Sequence, residues 1–415
     1  MSSPPAELDQ GSLNAILRDV VETLAPIDRT PCSRGEREAA EWLASRLRAL
    51  QGVEVALEDE ASWGTFPPTA TALGSCGVLA ALLALRARRA AALALALLAS
   101  AGIVDEAQNG PRVLRRLIRR RRSTVNVVAR IGERTAYQRT LVVIAHHDAP
   151  QTGVLFDQTL QRKIHERAPQ LIERVKTPLP QWWIGLAGPL LSAASAATGR
   201  RRPARAAVAL GVFATALVAD VWRNDTVQGA NDNLSGVAAL AGLAEMIAQN
   251  PVPGLRVLLV SCGAEETLQD GIRAFTKRHR QELDSERTAF VNLDTIGSPH
   301  LVMLEAEGPI WMESYAGPWI RDLMAETAQR LGIELHRGFR ARASTDSVIP
   351  SRAGYPIATL VSMTAWRSPA NYHLASDIPA NLDYGSVADA TRLVLELARS
   401  LGAGGGAIAT TAVRS

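Results

Sequence analysis

Residues able to bind a metal or move a proton recur at the ends of apolar runs in this 415-residue chain. The run Leu141 to Ala145 is followed by His146-His147-Asp148, and Leu255 to Ala264 by Glu265-Glu266. Asp294 follows Ala289 to Leu293, Asn371-Tyr372-His373 stands near the end, and Asp232 lies between two amides in Gln228-Gly-Ala-Asn-Asp-Asn-Leu-Ser-Gly236. Each stretch alone has an ordinary explanation. Asn, Asp and Ser ahead of an apolar helix satisfy its free N–H groups, a Glu pair at a helix start complements the helix dipole, and a His-x-Asp is most often a surface pair. The convergence of such clusters at strand ends and loop mouths is what carries information. Carboxylates and imidazoles without thiolates suit zinc, or manganese or cobalt, in an open catalytic site. Cys32, Cys76 and Cys262 have no paired spacing, so neither a disulfide framework nor a Cys-based zinc site is expected.

The elements that must position these residues can be read from periodicity. Ser33-Arg-Gly-Glu36 is a capping box, and Ala39, Ala40, Trp42, Leu43, Leu47 and Leu50 follow it at helical spacing. Residues 52–58 alternate like a strand, while 124–131 and 140–145 are β-branched, apolar and bounded by polar residues, as strands are. The Asp232 motif opens a helix to about Gln249, and 255–261 is a continuous apolar run typical of a strand buried on both faces. Helix and strand then alternate over 270–282, 288–294, 316–331 and 356–361, with a last helix over 383–401. This order predicts an α/β fold, a three-layer sandwich with a mostly parallel central sheet, in which ligands gather at the carboxyl ends of the strands.

Two apolar helical hairpins interrupt the pattern between elements. Residues 62–85 carry no charge, basic residues occupy 86–89, and 90–104 are again uncharged. Later, 177–199 are uncharged, Arg-Arg-Arg-Pro-Ala-Arg occupies 200–205, and 206–219 are uncharged. A bilayer span needs about 20 apolar residues. The first arm of each pair is long enough, and the second, with 15 and 14 residues, is marginal unless arginines snorkel. Trp63, Trp182, Trp183 and Trp222 flank the arms where interfacial aromatics are expected. The alternative is an Ala/Leu-rich arm packed in a core or on another subunit. The expected organisation is an α/β domain in three pieces, 1–61, 106–149 and 226–402, with transmembrane hairpins in 62–105 and 150–225 and a flexible tail at 403–415.

Composition sets the remaining bounds. The 47% apolar content fills a substantial core, and the net charge of +4 is modest, but six arginines fall within 115–122. Next to an apolar segment such a run contacts anionic headgroups, and nucleic acid is not expected as a partner. Residues 1–10 lack the basic and apolar regions of a secretory signal. Arginines at the hairpin tips place the tips in the cytoplasm and the catalytic domain outside. The 115–122 run and the lack of a signal point the other way. The expectation taken forward is a multi-pass plasma-membrane protein with its catalytic domain on the exterior and its oligomeric state open.

The series Ala-His-His-Asp, Gly-Ala-Asn-Asp-Asn-Leu-Ser-Gly, Ala-Glu-Glu, Asn-Leu-Asp-Thr-Ile-Gly and Tyr-His resembles the co-catalytic dizinc aminopeptidase family, related to glutamate carboxypeptidases and glutaminyl cyclases. The resemblance covers roughly 10–60, 123–150 and 226–400, with the motifs in the family's order. It implies a zinc-exopeptidase fold, a peptide substrate and two zinc ions. His146 and Asp294 would hold one ion, Glu266 and His373 the other, and Asp232 would bridge both. Asp148 would orient His146, Glu265 would be the general base that takes a proton from the activated water, and Tyr372 would donate to the developing oxyanion. His147 would not be a ligand.

The chain also departs from the family. Leu268 stands where a Gly is frequent, Thr345-Asp346-Ser347 replaces a frequent Ser-Asp-His, and about 80 residues separate Asp148 from Asp232 where a short loop is usual. Rival readings are glutaminyl cyclisation, which uses this scaffold with one metal, and a non-catalytic membrane receptor or scaffold. The complete ligand set argues against both. If both hairpins leave the domain near the metal site, its mouth faces the bilayer and apolar or membrane-released peptides become the expected substrates.

Overall fold

The computed structural model describes residues 9–132 and 137–404, so the expected tail lies, beyond 404, outside the described residues. Chain order begins with α1 (Gln10–Leu24), α2 (Arg34–Arg48), β1 (Glu54–Ser62), α3 (Pro67–Leu85), α4 (Arg89–Ala107), α5 (Val113–Ile118), β2 (Arg122–Gly132) and β3 (Arg139–His146). It continues through α6 (Thr159–Arg167), α7 (Pro169–Glu173), α8 (Trp182–Thr198), α9 (Arg201–Arg223), α10 (Ser235–Gln249), β4 (Leu255–Cys262) and α11 (Asp270–Arg278). It closes with β5 (Thr288–Leu293), β6 (His300–Glu307), β7 (Glu313–Ser314), α12 (Pro318–Leu331), β8 (Leu335–Ala341), α13 (Val348–Arg352), β9 (Ile357–Met363) and α14 (Tyr384–Gly402).

The strands form one sheet in the order β1-β2-β4-β3-β5-β9-β6-β7, with β8 also paired to β6. Its centre, β4-β3-β5-β9, is parallel. Antiparallel pairs flank it, β1 with β2 and β2 with β4 on one side, β9 with β6 on the other. Side chains alternate across β3. Leu141, Val143 and Ala145 pack with α1, α2, α10, α12 and α14, whereas Val142 and Ile144 pack with Ile272 and Phe275 of α11 and Val348 and Ile349 of α13. Helices on both faces make the three layers that were expected, and burial of both faces explains the near-continuous apolar runs in the strands. Each fully buried Leu, such as Leu17, Leu43 or Leu141, contributes about 1.5–3 kcal/mol.

The two apolar insertions pack together as four helices, α3 and α4 against α8 and α9. Their packing is inverted relative to a bundle in water. Ala80, Ala81, Ala92, Ala96, Ala99, Ala204 and Ala207 are fully buried, while Leu97, Leu98, Val212 and Phe213 are each more than half exposed. Small residues let the helices approach. A Cβ on Gly188 of α8 would come within 3.2 Å of the Gly211 Cα of α9, the kind of contact that small residues give helices in lipid. Ser192 Oγ donates to the Gly77 carbonyl of α3 at 3.1 Å. At the far end Arg89 Nε donates to the Ala196 carbonyl at 2.7 Å and Arg201 to the Leu85 carbonyl at 3.3 Å, locking the tips to each other.

The arms differ in length from the uncharged runs. The arms that look marginal in sequence are helices of 19 and 23 residues, because α4 and α9 continue through charged residues at their ends. The arm beginning at 177 is shorter than expected, because Pro178 and Pro180 keep the chain out of a helix until Trp182 and leave α8 with 17 residues. Among the described residues, α3, α4 and α9 are long and apolar enough to cross a membrane.

Candidate metal centre

Because β3, β4 and β5 are parallel, their carboxyl ends open on one edge of the sheet. His146 ends β3, Glu265 and Glu266 follow β4, and Asp294 follows β5 directly. Asp232 reaches the same edge from the loop between α9 and α10, and His373 from the segment after β9. One Asp232 oxygen lies 3.3 Å from His146 Nε2 and the other 3.1 Å from His373 Nε2. His373 Nε2 is 3.5 Å from Glu266 Oε1, and ligand atoms of His146, Asp232 and Glu266 all lie within 4.8 Å of one another. Asp294 is buried beside them, close enough for its charge to couple with His146 and Asp232.

The loop around Asp232 is built by the residues on either side of it. Gly229 has φ +58°, and a Cβ there would meet the Asp232 carbonyl at 2.3 Å, so only glycine fits. The Asp232–Asn233 peptide bond is cis. Asn231 Oδ1 accepts from the Gly297 N–H at 2.8 Å, and its amide donates to Ser298 and the Ala370 carbonyl. Asn233 donates to the Leu293 carbonyl at 2.8 Å and accepts from the N–H groups of Gly236 and Thr295 at 3.1 Å. The capping explanation thus holds for Asn233. Asp232 itself bonds neither helix nor turn with its carboxylate. Asp377, to which the sequence reading assigned no role, accepts from the N–H groups of Asn231 at 2.7 Å and Asp232 at 3.1 Å.

Asp148 ties the ends of two strands together. Its oxygens accept the N–H groups of Glu265 at 3.1 Å and Glu266 at 2.9 Å. His146 Nδ1 lies 3.2 Å from the Asp148 carbonyl and 3.4 Å from its carboxylate. Nδ1 is thus turned to Asp148 and Nε2 to Asp232. His147 points elsewhere, with Nδ1 3.0 Å from Ser261 Oγ, and burial pulls its pKa down to about 4, so it is neutral. Gln269 Nε2 donates to Glu265 at 2.6 Å. The rings of Tyr372 and Phe156 pack on that of His373, with centroids 4.0 and 4.2 Å away.

Electrostatics favour a cation here. Burial, reinforced by the charges of Glu266, Asp346 and Asp294, holds the Glu265 carboxyl well above its ordinary range, with His146 opposing. Glu266 shifts the same way through burial and Asp232. Asp294 is raised to about 7 by burial and by Asp232. Burial alone would lower the His146 pKa, but hydrogen bonds to Asp148 and Asp232 hold it well above the usual value. Crowded, desolvated carboxyls that pair incompletely are what a divalent cation neutralises, and the nitrogen and oxygen donors fit zinc. Asp346 is a further buried acid, raised to about 7 by burial, with the Cys262 thiol beside it.

The backbone around the site is strained. Ala264, Leu268, Gln269, Thr295, Asn371 and His373 all have φ between +51° and +71°, a region that side chains rarely adopt.

Residues 215–398 match Peptidase family M28, a segment that contains Asp232, Glu265, Glu266, Asp294 and His373. Among solved structures, the chain is similar to LapB from Legionella pneumophila, with 13% identity, a TM-score of 0.54, and 97% of this chain and 78% of that one covered. It is similar to an aminopeptidase from Aneurinibacillus sp. strain AM-1, with 12% identity, a TM-score of 0.53 and 93% of each chain covered. It is also similar to the glutaminyl cyclase of Tannerella forsythia, with 15% identity, a TM-score of 0.54, and 93% and 98% covered. Comparison with curated proteins gives no sequence match. These findings agree with the resemblance that the motifs carry.

Proposed function

We propose that this chain, with its match to Peptidase family M28, is a membrane-embedded zinc metallopeptidase of aminopeptidase type. The observation that carries the reading is the Asp232 carboxylate, whose two oxygens face two different imidazoles at 3.3 and 3.1 Å. Two ions would fit this reading: His146 and Asp294 would hold one, Glu266 and His373 the other, and Asp232 would serve both. Bound zinc supplies Lewis acidity and a lowered water pKa.

The chain's own groups supply the rest. Glu265 takes a proton from the attacking water and hands it to the leaving amine, work for which its raised pKa suits it. Tyr372, whose pKa is pushed well above its usual value by burial and by Asp232, stays protonated and donates to the oxyanion. Asp148 keeps His146 and the Glu265–Glu266 backbone in register. The four apolar helices hold the domain in a bilayer, a reading supported by their outward-facing Leu, Val and Phe side chains.

The test is metal analysis together with hydrolysis of aminoacyl anilides. Wild type should carry two zinc ions and release N-terminal residues. Glu265→Gln should keep its metal and lose turnover by about 10²–10⁴-fold. Unchanged turnover removes Glu265 from the mechanism. Ammonia release from peptides beginning with glutamine, without hydrolysis, would establish cyclisation instead.

A further inference from the structure

The cleft leading to Glu266 and His373 is not walled by the catalytic domain alone. Phe66 and Pro67, where α3 begins, and Val221, near the end of α9, line it together with Phe156. Its apolar side therefore comes from the domain-proximal ends of both inserted hairpins, and the Phe66 ring packs on Trp182 of the third bundle helix, α8, at 5.5 Å. Where the bundle enters a bilayer, this junction lies at the membrane surface.

A second observation concerns the cover of the cleft. The segment that carries Phe156 runs from the metal ligand His146 to α8, and it leaves Val154, Leu160, Leu171 and Leu179 exposed, each by more than 60%. Arg162, Lys163, Arg167, Arg174 and Lys176 lie among them, opposed by Asp157, Glu166 and Glu173, so that the stretch keeps an excess of two positive charges. The segment is tied down near its start, and further on the Lys176 carbonyl accepts from the Arg340 N–H at 2.9 Å. Val154 N–H donates to Asp220 of α9 at 2.8 Å, and Gln158 donates to the Pro369 carbonyl at 2.9 Å while accepting from Trp366 Nε1 at 3.0 Å. Exposed apolar side chains mixed with cations make a surface that lies in a headgroup layer and prefers anionic lipid.

We propose that the site takes the N-terminus of an apolar peptide lying at the bilayer surface, such as the cut end of a membrane-spanning segment. The inference rests on the peptidase reading above. The peptide's first side chain packs against the apolar side made by Phe66, Val221 and Phe156, while its remaining length stays in the lipid beside the bundle. A peptide free in water reaches the same cleft without that second hold.

The test uses the zinc-loaded full chain in nanodiscs containing anionic lipid. Two peptides share a first segment beginning with Leu, one ending in a membrane-spanning anchor in the same disc and one free. A soluble Leu anilide reports on the catalytic centre. The anchored peptide is expected to be hydrolysed at least about tenfold faster than the free one. Leu171→Glu with Leu179→Glu should reduce the ratio of anchored-peptide to anilide turnover. Phe66→Ala should lower the preference for Leu over Ala at the first position about tenfold, the worth of a few apolar carbons in a pocket. Anilide hydrolysis with no advantage for the anchored peptide overturns this proposal and leaves the peptidase standing. An inert anilide, with both peptides uncut, overturns the peptidase reading itself.

Discussion

The Arg115 guanidinium donates to the main-chain carbonyl of Thr267, the residue after Glu266, and also pairs with Glu106 at the end of α4. Both charged side chains are buried. Alongside them Arg112 pairs with Asp270 in the first turn of α11, and that carboxylate also accepts from Ser62 Oγ at 2.7 Å. The loop bearing Glu265 and Glu266 is therefore held from the bundle side by groups outside the motifs. Arg115→Ala leaves Glu106 buried without its partner, which costs about 3–5 kcal/mol. Thermal unfolding should show the loss, and Arg115→Met combined with Glu106→Leu should recover much of it.

Asp148 uses both oxygens as acceptors for the Glu265 and Glu266 N–H groups. Asn in its place offers one acceptor and turns an amide donor towards an N–H donor. Asp148→Asn should weaken zinc binding about 10–100-fold, measured by competition with a chromophoric chelator. Unaltered affinity would show that the orientation of His146 is set elsewhere.

Chelation should destabilise the domain, because Asp232, Glu265, Glu266 and Asp294 then share a buried site without a cation. Zinc at a hundred times its dissociation constant should restore about 2.7 kcal/mol, seen as a rise in Tm. Asp232→Ala should abolish most of that rise.

Glu307 provides a pH test at a buried acid that is not itself a candidate ligand. Its Oε2 accepts from Tyr315 and Thr345, yet burial raises its pKa to about 8 from an ordinary 4.5. The folded state thus binds a proton that the unfolded state releases between those values. Its stabilising share is complete below about 4.5 and is lost as pH rises to about 8, with a slope approaching 1.4 kcal/mol per pH unit. Glu307→Gln should flatten that part of the stability profile. Parallel profiles for the two proteins would count against a proton on Glu307.

Leu98, more than half exposed midway along α4, distinguishes lipid from water around the bundle. Leu98→Arg should cost about 2.5–3.5 kcal/mol of insertion in a bilayer, and within about 0.5 kcal/mol of nothing at a surface in water. The yield of membrane-incorporated protein measures the difference.

The clustering of the candidate residues was legible in sequence because parallel strands bring their carboxyl ends to one edge, so a run-then-acid pattern repeated along the chain becomes a cluster in space. The partners of the loops were not legible. Asp377 acts by accepting two backbone N–H groups, and Asp346 by being buried beside the site, and neither leaves a periodic trace. Leu268 shows what a motif departure conceals, since it has φ +71°, a conformation open to glycine at no cost and rarely taken by a side-chain-bearing residue. Helix α1 has a plain helical pattern in Leu13, Ile16, Leu17, Val20, Val21 and Leu24, although the sequence reading left it out. The expectation also lacks β6, whose apolar run Leu301 to Leu304 is only four residues long, and β8, which is mostly polar, and it runs α11 on to 282. That helix ends at Arg278, where His279 turns to bond Glu58 and Glu282.

The position of the two hairpins in the chain bears on how the protein is made. Strand β1 meets its partner β2 only across the first hairpin, and β3 meets β4 only across the second. During synthesis each early strand must wait, unpaired, until the intervening helices have been emplaced. If the bundle lies in a bilayer, a water-soluble version of the chain requires two internal excisions with the cut ends rejoined, and trimming a terminus does not yield it.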